Sequence, residues 1–96
     1  MSAPPPALRL LLTGRVQGVG FRYFTRRLAE ELGVAGTVAN LPDGRVEIEA
    51  AGPPEALAEF RRRVRQGPRF GEVREVVEEE IPEPPPWEGF RVVHKE

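Results

Sequence analysis

Nine residues near the start of the chain, Gly14-Arg15-Val16-Gln17-Gly18-Val19-Gly20-Phe21-Arg22, set three glycines around a fixed cation. An apolar run, Leu8 to Leu12, leads into them and an amphipathic helical pattern follows, which places them at a strand-to-helix turn. Amides left unpaired at a helix start favour negative charge. The glycines let the backbone take conformations closed to other residues and let a ligand approach closely. Arg22, in the first helical turn, offers a guanidinium that can fork two oxygens of a phosphate. The segment therefore predicts a cradle for a phosphate-sized anion. A glycine-rich turn with a surface arginine is the plainer reading of the same residues. No Lys-Ser or Lys-Thr pair follows the glycines, so this is not a P-loop. It is not a dinucleotide fingerprint either, because Tyr23 stands where the third glycine belongs. The ligand should be a phosphoryl group rather than a nucleotide.

The rest of the composition narrows the chemistry by scarcity. Among 96 residues Asn40 is the only asparagine, Asp43 the only aspartate, His94 the only histidine and Ser2 the only serine, and there is no cysteine. One histidine and one aspartate do not make a zinc site, and a serine in the tail does not make a hydrolytic triad. Without cysteine there are no disulfides, and a cytoplasmic location is the simplest expectation. A net charge of -1 gives no reason to expect nucleic acid or an anionic membrane as partner. No apolar stretch approaches spanning length, and Met1–Pro6 lacks the order of a signal peptide. Eleven prolines, few amides and arginine as nearly the sole cation suggest a heat-adapted source or a GC-rich genome. The length allows one small domain, expected as a proline-rich tail over 1–7 and a single unit over 8–96.

The elements that must position these residues follow from periodicity. Leu8 to Leu12 reads as a strand buried largely on both faces, and Phe24, Leu28, Ala29 and Leu32 fall on one helical stripe that Gly33 is placed to stop. Val34 to Leu41 reads as a second strand, and Pro42-Asp43-Gly44 turns it into a third over Arg45 to Ala51. There Val46, Ile48 and Ala50 point inward and Glu47 and Glu49 outward. Pro53 and Pro54 open a second helix with Ala56, Leu57, Phe60 and Val64 as its apolar stripe, ended by Gly67-Pro68. Val73, Val77 and Ile81 mark a fourth strand with Glu75 and Glu79 opposite, and Val76 signals a bulge or a double-sided stretch. Phe90 to Val93 is a short final strand. The order βαββαβ plus a terminal strand implies a two-layer α+β sandwich, a mainly antiparallel sheet with both helices on one face. A right-handed crossover makes the first two strands parallel, with the third between them. Asn40 then lies at the same sheet edge as the glycine loop, far from it along the chain.

The two motifs, the glycine segment and Gly36-Thr37-Val38-Ala39-Asn40-Leu41-Pro42-Asp43-Gly44-Arg45-Val46-Glu47, resemble the acylphosphatase family from about Leu8 to Val93. The resemblance implies the ferredoxin-like βαββαβ sandwich and hydrolysis of acyl phosphates to a carboxylate and inorganic phosphate, without metal or cofactor. It implies that Arg22 and backbone amides of the loop Val16, Gln17, Gly18, Val19, Gly20 and Phe21 hold the phosphoryl oxygens, and that Asn40 orients the attacking water. Thr37 and Ala39 depart from the family pattern, where tryptophan and arginine are common, and would alter the rim or the leaving-group preference. The resemblance and the short chain together point to a stand-alone monomer whose partners are an acyl phosphate and inorganic phosphate.

Two other readings compete. The same element order serves RNA-recognition domains, which present aromatics on central strands; here those strands carry leucines, Val46, Ile48 and glutamates. A domain that binds phosphate without turnover is the second. Arg61-Arg62-Arg63 and Arg65 read as a solvated helix face, Glu78-Glu79-Glu80 as edge-strand charge, and Trp87 as a residue packed over an edge. His94 is expected exposed at a frayed end. Tyr23 either borders the cradle or sits on the helix surface.

Overall fold

The computed structural model describes residues 7–95, so the proline-rich tail, apart from Ala7, lies outside the described residues. In chain order the elements are β1 (Ala7–Arg15), α1 (Phe21–Leu32), β2 (Ala35–Asn40), β3 (Val46–Ala51), α2 (Pro54–Gln66), β4 (Glu72–Glu80) and β5 (Phe90–Val92). They form a five-stranded sheet in the order β4-β1-β3-β2-β5. Strand β3 runs antiparallel to both β1 and β2, which makes those two parallel, and β5 joins β2 in parallel at the edge. This is the α+β ferredoxin-like sandwich with an extra C-terminal strand that the hydrophobic pattern predicts.

The two-residue repeat of the strands decides what meets the helices. Leu10, Ile48 and Val38 lie abreast across β1, β3 and β2, and Leu12, Val46 and Asn40 form the next row. The apolar members of these rows pack with Phe21, Leu28 and Ala29 of α1 and Leu57, Phe60 and Val64 of α2 in one core. Helix α1 stops where Gly33 takes a left-handed conformation and its amide returns to the Ala29 carbonyl. Helix α2 opens on Pro54, whose missing amide costs nothing in the first turn.

Strand β4 corrects one expectation. Val73, Val77 and Ile81 do not form a single inward set. The register slips between Thr13 opposite Glu75 and Gly14 opposite Val73, so Arg74 is an extra residue in β4. Across that bulge Val73 and Val76, three apart, both pack against the core, while Val77 is 42% exposed on the side of Glu75 and Glu79. A Cβ on Gly14, at φ +134°, would stand 2.2 Å from the Glu72 carbonyl oxygen, so the bulge and the glycine require each other. After the bulge Glu78 faces α2, where Arg61 donates two hydrogen bonds to its carboxylate at 2.9 and 2.7 Å and Arg65 adds one at 3.3 Å. Arg62 pairs with Glu59 and Arg63 with Glu31, so the four arginines of the α2 cluster are all matched by carboxylates, with Glu78 shared by two of them.

The opposite face of the sheet holds a further departure. Glu47 does point away from the helices, yet it is only 5% exposed. Arg9 Nε donates to its carboxylate at 2.7 Å, and Lys95 closes over it from the end of the chain. Burial pushes the Glu47 carboxyl up, but the hydrogen bonds from Lys95 and Arg9 outweigh it and hold the group below its ordinary value. A carboxyl whose pKa is depressed by folding contributes stability above its unfolded value and loses it as pH falls through the folded one. Wild type is therefore expected to be more stable than Glu47→Gln at pH 7, and the gap should close below about pH 4. Urea midpoints of both proteins at pH 7 and pH 3 check this; a gap of constant size would contradict it.

Candidate active site

The glycine loop is pinned at both ends. Val16 and Phe21 are each 1% exposed, and Val19 packs against the core between them. With these side chains turned inward, Gly18 and Gly20 complete the loop in the left-handed region at φ 75° and 76°. No atom lies within 4 Å of a Cβ added at either, so glycine is needed here for backbone conformation and not for room. Gly20 caps α1 with no side chain hydrogen bonded to the helix start and no acidic residue in the first turn. The first helical bond runs from the Phe24 amide to the Gly20 carbonyl at 3.0 Å, which leaves the amides of Phe21, Arg22 and Tyr23 to any acceptor in front of them. Successive left-handed glycines before a bare helix start make a concave array of donors suited to an anion.

Asn40 arrives from the other motif. It is the last residue of β2, and its place in the row of Leu12 and Val46 puts it on the helix-facing side of the sheet. Arg22, Asn40, Gly18 and Gly20 line one cavity of 380 Å³, which Val16 and Phe21 floor. Asn40 Oδ1 is buried and makes no hydrogen bond among the described residues. A buried acceptor in that condition costs about 1–3 kcal/mol unless a guest donates to it. Arg22 is half-buried. Among the described residues it has no carboxylate partner, whereas those of Arg9, Arg45, Arg61 and Arg62 lie at 2.6–2.8 Å. A cation without an internal anion and an acceptor without an internal donor thus share one cavity with a row of free amides.

Gln17 has a different part from its neighbours in the loop. Its side chain turns to the β2–β3 connection, where Nε2 donates to the carbonyls of Leu41 and Arg45 at 2.9 Å each. That connection is itself closed by the Leu41 amide on the Arg45 carbonyl at 2.8 Å and by the Asp43 carboxylate on the Arg45 amide at 3.0 Å. One amide side chain therefore stitches the cradle to the turn that follows Asn40. The side chain of Gln17 is thereby committed to the turn, and only its backbone is left to face an anion.

Two residues fall elsewhere than expected. Thr37 and Ala39 alternate with Val38 and Asn40, so they sit on the opposite face and line neither cavity that contains Arg22. His94, read from sequence as an exposed end, is exposed yet lines both cavities that contain Arg22 and Asn40. The continued alternation Phe90, Val92, His94 was the available signal. Tyr23 meets both of its readings: it is 57% exposed and borders the cradle. Replacing Gln17 by Met should remove the stitch, destabilising the fold by about 1–3 kcal/mol and weakening phosphate binding as the loop separates from the turn. Urea unfolding and the inhibition constant of inorganic phosphate measure the two effects, and unchanged values would show the stitch to be dispensable.

Comparison with known proteins agrees with this geometry. The family model for acylphosphatase matches residues 8–92. An acylphosphatase of Thermus thermophilus is 51% identical over 87 residues, covering 91% of this chain and 98% of the relative. One of Archaeoglobus fulgidus is 50% identical over 90 residues, covering 92% and 98%. The crystal structure of acylphosphatase from Bacillus subtilis superposes with a TM-score of 0.88 at 41% identity, covering 92% of this chain and 98% of that one. The chain belongs to the acylphosphatase family, enzymes that hydrolyse acyl phosphates to a carboxylate and inorganic phosphate.

Proposed function

We propose that the reaction runs in the cavity between the glycine loop and the end of β2, with Arg22 and the loop amides holding the phosphoryl group and Asn40 orienting the water. The observation that carries this reading is that Asn40, whose buried Oδ1 makes no hydrogen bond among the described residues, lines the same cavity as Arg22. An acyl phosphate is already activated, since its leaving group is a carboxylate with a solution pKa of about 4 and departs without a proton. What remains is to neutralise equatorial charge on the phosphoryl group and to place water in line behind phosphorus. Arg22 forks two of those oxygens and the amides of the loop and first helical turn take the third. Asn40 accepts a hydrogen bond from the water and so aims its lone pair at phosphorus. As the new P–O bond forms, the bond to the acyl oxygen breaks, the carboxylate leaves with the electron pair, and the water's proton passes to a phosphoryl oxygen. Nothing in this sequence calls for a thiol, a hydroxyl nucleophile or a metal.

The setting we propose is a cytoplasmic monomer built as one unit from residue 8 onward. A single core shared by both helices and the sheet supports the unit, and among the described residues no helix is long and apolar enough to cross a membrane. Relatives from Thermus thermophilus and Archaeoglobus fulgidus, together with the arginine–glutamate pairs of α2, support the heat adaptation suggested by composition.

Hydrolysis of benzoyl phosphate by metal-free protein tests the assignment. Arg22→Lys is expected to lose about 10²-fold or more in turnover and to bind phosphate weakly, because a point cation cannot reproduce the fork. Asn40→Ala should lose on the order of 10²-fold in kcat yet retain competitive inhibition by phosphate. Near-normal turnover in either folded variant would remove that residue from the mechanism.

A further inference from the structure

Past its last paired residue, β5 keeps its direction. Val92 lies opposite Val38, and the Val93 amide donates to the Val38 carbonyl at 2.9 Å, so the parallel register continues beyond the strand. Continued by two residues, that register brings His94 alongside Asn40, and alternation puts both on the helix-facing side with Val92. The cavities agree: His94 lines the one formed with Gly18, Gly20 and Arg22, and also the adjoining one formed with Arg22, Asn40 and Pro42.

Alternation sends the next residue, Lys95, to the other face. There its ammonium closes on the buried Glu47 and lies 3.5 Å from Glu49. Both carboxylates belong to β3, one strand further in, so Lys95 must cross β2 to reach them. The residue of β2 paired with Glu47 is Ala39, which is 1% exposed beneath this crossing. A larger side chain at position 39 would obstruct it. The resulting clasp holds the terminal segment down on one face of the sheet while presenting His94 on the other.

We propose that His94 is a second holder of the attacking water beside Asn40, and that Lys95, through its ion pair with Glu47, is the positioning residue that keeps it there. The proposal rests on the assignment of Asn40 to the water. A neutral imidazole nitrogen accepts a hydrogen bond, as the Asn40 carbonyl does. With both O–H bonds of the water engaged by these two acceptors, the oxygen lone pairs are left for phosphorus. In a loose transition state proton transfer to the phosphoryl group comes late, so two acceptors on the ground-state water align it without opposing the reaction. In-line attack places the acyl group on the far side of phosphorus, away from β2, and leaves the Asn40 side of the cavity to water.

A residue that acts on the water alters kcat and leaves phosphate affinity alone. His94→Ala is expected to lower kcat about 3- to 10-fold, the worth of one hydrogen bond, with the inhibition constant of inorganic phosphate within about twofold of wild type. His94→Gln, which keeps an acceptor, should recover most of the loss. Lys95→Met should reproduce the fall in kcat, Lys95→Arg should restore it, and Lys95→Met combined with His94→Ala should be no worse than His94→Ala alone. Urea midpoints on each variant separate a loosened fold from a misplaced imidazole. An unchanged kcat in folded His94→Ala, a parallel change in kcat and phosphate affinity, or additive losses in the double variant would each overturn the proposal. Asn40→Ala is run alongside: a loss there with none in His94→Ala sinks this proposal alone, and no loss there sinks the assignment of the water to Asn40.

Discussion

The pleat of β2 is the constraint on which the site depends. This strand lies between β3 and β5, so its register is set from both sides and a slip of one residue would exchange its faces. Val38, fully buried among the helices, makes such a slip prohibitive, because it would leave the core and Ala39 would enter in its place. Asn40 inherits its orientation from that burial. It is presented at the start of α1 because the residue two before it is locked in the core. A polar side chain held this way has lost its freedom before any ligand arrives, which is the condition under which a weak acceptor can align a reactant effectively.

The glycine loop uses the same device in another form. Its apolar members Val16, Val19 and Phe21 are drawn inward, and the amides between them are turned out as a consequence. The core therefore makes the donor array, and Gln17 fixes its distance from the end of β2 by two hydrogen bonds. Hydrophobic burial supplies the order and a few polar contacts tune the gap. Catalysis by position and charge needs little more from a domain of this size.

The element order, the parallel relation of β1 and β2 and the meeting of Arg22 with Asn40 were legible in the residues, because all three follow from periodicity and turn chemistry. The bulge at Arg74 was legible only as an irregularity at Val76, since an inserted residue is a property of the pair of strands and not of one alone. The burial of Glu47 was hidden for a related reason. Alternation assigns a face, and what covers that face depends on where a distant segment ends up, here the three residues after β5. The parts of the Gln17 and His94 side chains were not legible. The hydrogen bonds of Gln17 to the β2–β3 turn join segments far apart in the chain, and nearness to the terminus concealed a histidine whose register brings it to the cavity.

The bulge also bears on how this molecule meets others of its kind. Strand β4 is one outer edge of the sheet, nine residues long, and an edge of that length is a template for another strand. The inserted residue breaks its hydrogen-bonding rhythm near one end, and five glutamates along it set like charge against any identical strand brought alongside. At the other edge β5 spans only three residues and is preceded by the run Pro84-Pro85-Pro86, which has no amides to donate. A concentrated solution of folded chains is thereby denied the flat, unguarded ladder from which fibrils grow.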